Sequence, residues 1–322
     1  MSLENSGRLI RRFKKKMFLE TPEGVIFLFE LLKRVAAEGR RSLNQQLTMI
    51  NNYKGVENVE LYDEVLTKLR SFFKNRGFVE VNTQDRLSIL AACEDPSTVA
   101  TYNYAGKLWP LPQTGQMWLE YELLKRPELP GVFCVGTSYR AEKNPIPGRH
   151  KIIFPMFEFE AKGTIEDLKN LEAEALEHLG FGSSENFIHK TYDEMKEYYG
   201  KELTYKEENK MMEDFGPVVF LENFPISTSP FWNMKKNGEY AHKIDVILYG
   251  NETIGSAERS TDKEEMREQF ETISGGRYAA KLYELFGQER VQKELNEFLS
   301  LDFFPRFGAG IGMSRLMDAY QK

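Results

Sequence analysis

Along the first part of the chain, apolar residues recur at helical spacing. Val25, Leu28, Phe29, Leu32 and Val35 form one stripe within residues 22–50, and Leu61, Val65, Leu66, Leu69, Phe72 and Phe73 form a second within residues 61–75. The first stripe predicts a helical N-terminal extension over residues 1–55, with one larger domain over residues 56–322. Gly77 stops the second helix ahead of a short strand at residues 78–81. Beyond this unit the period changes. Residues 132–135, 152–160, 217–221, 243–249 and 252–259 are short, rich in β-branched and aromatic side chains and bounded by turn formers, which predicts strands with antiparallel neighbours. Residues 165–212 and 263–301 are charged with a helical period and predict helices over one face of the sheet. The fold class is α+β.

Composition narrows the picture. With 41% hydrophobic and 13% aromatic residues in 322, the chain is that of a folded protein. Its apolar runs are broken by charge well short of the roughly 20 residues a bilayer helix needs, so no membrane partner and a cytoplasmic location are expected. Cys93 and Cys134 give neither a disulfide framework nor a metal-binding spacing, and both read as buried thiols. A net charge of −6 argues against binding a polyanion through the overall field. Arg8, Arg11, Arg12, Lys14, Lys15 and Lys16 form a local basic cluster able to dock a polyanion, although such a run is more often a solvated helix face or a frayed terminus. His178, His189 and His242 are isolated and read as structural or surface groups.

Two segments concentrate the chemistry. In the first, Arg140 and Glu142 share one strand face, a polar loop follows through Arg149 and His150, and Phe154, Glu158 and Glu160 share a face of the returning strand. A guanidinium that forks onto phosphate, a ring that stacks on a base and carboxylates that accept from an exocyclic amine suit a nucleotide. An exposed hairpin with surface ion pairs would show the same residues. In the second, Gly308, Gly310 and Gly312 alternate ahead of a terminal helix whose first turn carries Arg315. Alternating glycines admit a ligand or a closely packed element, and an arginine in a first turn opposes the helix dipole and calls for an anion such as phosphate.

In order, and across roughly residues 60 to 322, the helix–strand unit at residues 61–81 and these two segments resemble the three signature motifs of class II aminoacyl-tRNA synthetases. Tyr139-Arg140-Ala141-Glu142 matches the second motif, and the run from Gly308 to Arg315 matches the third. The resemblance implies an antiparallel sheet flanked by helices, with ATP and Mg²⁺ as cofactors. It implies that Arg140 holds the α-phosphate, Glu142 reads the adenine amine, and Arg149 and His150 reach the outer phosphates. It further implies that Phe154 stacks on adenine, Gly310 and Gly312 line the nucleotide site, and Arg315 clamps the γ-phosphate. Asp245 and Glu252 are similar to the aspartate-x6-glutamate block of the aspartate/asparagine/lysine branch, whose carboxylates hold Mg²⁺. Arg259 closes that block and is implied to bind the substrate side chain. Strict alternation would put Glu252 and Arg259 on opposite faces, so a bulge is expected at Gly255-Ser256. Gln116, in a stretch like that of asparaginyl enzymes, is implied to meet the substrate amino group, with Glu158 and Glu258 beside it.

Departures from the pattern carry information too. Leu119 stands where aspartate-activating relatives usually carry lysine, which favours a neutral side chain such as that of asparagine. Glu258 stands where most of the branch has glutamine and archaeal asparagine synthetases have glutamate. The proline that usually follows the first motif's strand is absent from Val81-Asn82-Thr83-Gln84, and a homodimer is expected by analogy. No anticodon-binding β-barrel is expected, because residues 1–55 read as helices. The implied activity is an AMP-forming ligase that activates asparagine or aspartate, with tRNA or ammonia as acceptor. A paralogue acting as an amino-acid sensor is the reading from a different class.

Overall fold

Asn58 starts the first helix, α1 (Val59–Asn75), by accepting a hydrogen bond from the Leu61 N–H at 2.9 Å. Its apolar stripe then buries Val65, Leu66, Leu69, Phe72 and Phe73. In this computed structural model, residue 56 and residues 58–83, 87–90, 95–146, 150–228 and 231–322 are described. The expected N-terminal extension, the basic cluster from Arg8 to Lys16, Cys93 and Arg149 lie outside them.

Strand β1 (Val79–Glu80) follows α1, and β2 (Thr101–Tyr104) with β3 (Lys107–Pro110) forms a separate hairpin. Helix α2 (Gln116–Lys125) leads into β4 (Gly131–Tyr139) and β5 (Ile153–Lys162), the pair that carries the first chemical segment. After α3 (Ile165–Leu179) come β6 (Ile188–Thr191), α4 (Tyr192–Tyr199), α5 (Tyr205–Asp214) and β7 (Val218–Pro225). The two-residue β8 (Lys236–Asn237) precedes β9 (Tyr240–Leu248) and β10 (Asn251–Arg259). Helices α6 (Lys263–Thr272), α7 (Arg277–Phe286) and α8 (Gln288–Leu299) separate β10 from β11 (Arg306–Gly312), and α9 (Met313–Tyr320) ends the described chain.

Among the described residues one open sheet has the order β1-β4-β5-β11-β10-β9-β7-β6, with β8 beside β9. Its centre is antiparallel, as the short loops predicted, but β1 pairs β4 and β6 pairs β7 in parallel. One face carries Phe133, Phe157, Phe159, Ile244, Val246, Ile254, Phe307 and Ala309, packed under α1, α3 and α9. Helices do not stop at that face, contrary to the sequence expectation. On the other face Leu119 and Leu123 of α2 pack on Val132 and Cys134, and α4 and α5 place Tyr192, Met195 and Met211 on Val219, Leu221 and Ile247. Helices α6 to α8 enclose a second core around Trp232, Phe270 and Phe298. No helix among the described residues is long and apolar enough to cross a membrane.

Candidate active site

The face shared with α2 is built in rows. One row runs from Asp245 on β9 through Gly255 and Gly310 to Glu158 on β5. The next runs from Lys243 through Ala257 and Gly308 to Glu160, and Arg259 lies directly across from Arg306 in the row after that. Pleating puts these alternate residues on one side, so small residues form a floor between flanking charged groups.

Two arginines that lie far apart in sequence meet over this floor. Arg140, one residue past β4, and Arg315, in the first turn of α9, line one cavity of about 330 Å³ together with Glu142, His150, Phe154, Glu252, Gly310 and Gly312. The Arg140 guanidinium carbon sits 5.3 Å from the centre of the Phe154 ring, and its buried Nε has no hydrogen-bond partner. Glu142 is engaged by its own hairpin: the His150 Nδ1 lies 2.6 Å from its carboxylate. Arg315 donates to the Glu252 carbonyl and stands 3.8 Å from the Glu252 carboxylate.

In the neighbouring rows of the same sheet face lies a buried polar layer. Arg259 donates to Glu160 Oε1 from Nη2 at 2.6 Å and from Nε at 3.2 Å, and to Gln116 Oε1 at 2.9 Å. Arg306 donates to Glu120 Oε2 from Nε at 3.0 Å and Nη2 at 2.5 Å, and to the Ser260 carbonyl at 3.1 Å. Like charges directly opposite each other on neighbouring strands repel, and the two carboxylates between these arginines turn repulsion into a network. Burial pushes the Glu160 carboxyl above its ordinary value, partly offset by Arg259, and Glu120 adds to the rise. Glu160 Oε2 is buried with no hydrogen-bond partner. Glu158 instead takes the Gly115 N–H at 2.8 Å and the Thr114 hydroxyl, at the N-terminus of α2.

Gly308 is what lets Glu160 reach Arg259. A Cβ at Gly308 would overlap the Glu160 carboxylate, whereas one at Gly312 would meet nothing nearer than the Thr253 carbonyl at 3.8 Å. Gly308→Ala is therefore expected to destabilise the fold by about 1–3 kcal/mol, as overpacking does. Urea unfolding checks this, with Gly312→Ala remaining close to the parent.

The expected bulge is present, but not at Gly255-Ser256. The β9–β10 register shifts between Glu252 and Ile254, while β10 keeps an unbroken register with β11 from Ile254 to Arg259. A shift at Gly255 would have broken both ladders. The bulge leaves Asp245 and Glu252 on either side of Gly255, whose added Cβ would lie 3.7 Å from Asp245 Oδ1 and 3.4 Å from Glu252 Oε1. Burial pushes the Asp245 carboxyl above its ordinary value against the pull of Lys243, and Glu252 adds to the rise.

Of the four expected substrate-binding residues, Gln116, Glu158 and Arg259 gather on the cavity's side of the sheet without being among the side chains that line it, and Glu258 lies on the other side. Glu258 alternates with Arg259 and so faces the other side of the sheet, where its carboxylate binds Lys235 at 2.8 Å, His242 at 2.7 Å and the Ile165 N–H at 3.1 Å. Its place is at the N-terminus of α3, away from the cavity. Arg306, central to the buried layer, carries no role in the sequence reading, and Glu120 enters it only within the asparaginyl-like stretch that contains Gln116. The signal was available for Arg306, a charge in phase with Gly308, Gly310 and Gly312 on one strand face.

Comparison with known proteins agrees with this architecture. The family model described as tRNA synthetases class II (D, K and N) matches residues 39–320, starting inside the segment expected to be an N-terminal extension. An aspartate–tRNA(Asp) ligase of Pyrobaculum aerophilum is 25% identical over 79% of this chain and 62% of its own length. An asparagine–tRNA ligase of Pelotomaculum thermopropionicum is 26% identical over 77% of this chain and 62% of its own. The chain thus spans just over three-fifths of these relatives. The crystal structure of asparaginyl-tRNA synthetase from Pyrococcus horikoshii complexed with asparaginyl-adenylate superposes with a TM-score of 0.65 at 20% identity, covering 81% of this chain and 64% of that one. On the match over residues 39–320, the chain belongs to the class II tRNA synthetase family of the D, K and N type.

Proposed function

We propose that the chain activates the α-carboxylate of asparagine or aspartate with ATP, forming an aminoacyl adenylate and pyrophosphate. The observation that carries this reading is the convergence of Arg140 and Arg315 on one cavity. A bent triphosphate between them has its reacting centre at Arg140 and its far end at Arg315. Phe154 offers the base a face to stack on. Glu142 accepts from the adenine amine once His150 releases it.

The reaction needs positioning and charge stabilisation and no covalent protein intermediate. A carboxylate oxygen of the amino acid attacks the α-phosphorus in line while Arg140 disperses charge on the α-phosphate oxygens. The pyrophosphate departs toward Arg315 and His150. Asp245 and Glu252 fit Mg²⁺: both donate hard oxygens, and the buried Asp245 Oδ1 has no hydrogen-bond partner. A bound Mg²⁺ would offset phosphate charge there.

For the amino-acid side chain, Arg259 supplies donors and the partnerless Glu160 Oε2 an acceptor. That combination complements a carboxamide, whereas a second carboxylate would face Glu160. Asparagine is accordingly favoured over aspartate, in line with Leu119, which packs with Leu123, Val132 and Cys134 and contributes no cation of its own. The names of the relatives support tRNA as the acceptor. Amino-acid-dependent ATP–pyrophosphate exchange over all twenty amino acids, followed by AMP release with bulk tRNA or with ammonia, tests the reading. Exchange with asparagine, and AMP release with tRNA, are expected. Exchange with none of the twenty overturns it.

A further inference from the structure

Both carboxylates read above as cation ligands already face a cation of this chain. Lys243 Nζ lies 2.5 Å from Asp245 Oδ2, and Arg315 stands 3.8 Å from Glu252 Oε2. Lys243 is two residues from Asp245 on β9, so strand alternation sends both side chains to the same face. Its ammonium also lies 3.7 Å from the centre of the Phe224 ring, which holds it in place. Asp245 is 8% exposed, and its Oδ1 shares the space over Gly255 with Glu252 Oε1. Each of the two carboxylates thus has a tethered cation beside it. Among the described residues there is no group of three or more histidine, cysteine, aspartate or glutamate side chains to hold an ion otherwise. A divalent ion arriving alone would have to compete with Lys243 for Asp245 and with Arg315 for Glu252. An ion arriving on a triphosphate brings phosphate oxygens of its own and gives Arg315 a second anion to bind.

We propose that Lys243 is a tethered cation that keeps the Asp245–Glu252 pair from binding a divalent ion unaided, so that the ion is accepted only together with nucleotide. Lys243 is a positioning residue in this scheme: it acts through Asp245 and touches no reacting atom. The proposal rests on the reading of Asp245 and Glu252 as ligands.

The test is titration of the full chain with Mn²⁺ alone, following free Mn²⁺ by electron paramagnetic resonance. Lys243→Met is expected to bind Mn²⁺ about tenfold or more tightly than the parent, the scale set by removing a unit charge a few ångströms away. Lys243→Arg should behave as the parent, and Lys243→Gln serves as a second neutral variant if the methionine variant does not fold. Adding Asp245→Asn to Lys243→Met should abolish the gain. Equal Mn²⁺ affinity in the parent and a folded neutral variant overturns the proposal, as does a gain that survives Asp245→Asn. These outcomes are separate from the activity: a parent that exchanges pyrophosphate yet fails the Mn²⁺ test refutes only the role of Lys243.

Discussion

Arg140→Ala is expected to lower amino-acid-dependent ATP–pyrophosphate exchange by about 10³-fold or more, the scale on which phosphoryl-transfer sites depend on a single arginine. The fold should not suffer. The Arg140 side chain stacks against Phe154, its Nε has no hydrogen-bond partner, and the strand contact at this position is made by its backbone N–H to the Ile152 carbonyl at 2.8 Å. Alanine keeps that backbone bond. The melting temperature is expected to stay within about 2 °C of the parent, since substitutions that break no buried interaction are small. Arg140→Lys separates charge from geometry: it retains the cation but not the planar fork, and should recover only part of the activity. A folded Arg140→Ala protein with near-parental exchange would remove the reading of the cavity as an adenylate-forming site.

What was legible in the sequence was whatever is written locally. Helix α1 repeats its apolar stripe over about three turns, and the β4–β5 pair joins strands close in sequence, so neither depends on distant partners. Strand β6, with the polar His189 and Lys190 in a four-residue run, has too little period to announce itself, and its parallel pairing with β7 depends on what α4 and α5 do in between. The same holds within the site. The alternation of Phe154, Glu158 and Glu160 put them on one face, and the register with Gly310 and Gly308 is consistent with that. What alternation could not give is which arginine each carboxylate meets. Glu160 and Arg259 are 99 residues apart, and Glu120 and Arg306 are 186 apart; only the stacking of β5, β11 and β10 under α2 brings them together. Glu258 shows the converse. Its neighbour Arg259 faces the buried layer, and period-2 geometry forbids adjacent residues of a regular strand from doing so together.

The buried layer also sets the largest expected change in stability. Arg306→Met is expected to destabilise the protein by about 3–5 kcal/mol, because it strands Glu120 in a site with no exposure to water. Glu120 would keep the Asn233 amide at 2.7 Å and Arg259 at 3.8 Å, which does not replace two guanidinium hydrogen bonds. The Ser260 carbonyl, which accepts from Arg306 at 3.1 Å, would lose that donor too. An exposed pair makes the contrast: Lys293 and Glu297 are 3.8 Å apart on the surface of α8, and Lys293→Met should change stability by less than about 0.5 kcal/mol. Urea unfolding of both variants gives the comparison directly. Glu120→Leu combined with Arg306→Met removes both charges and should recover part of the loss but not all, since Asn233 and Arg259 each lose a partner. If Arg306→Met unfolds at the parental midpoint, the pair contributes nothing to the fold. The proximity of Arg259 and Arg306 on facing strands would then need some other source of compensation.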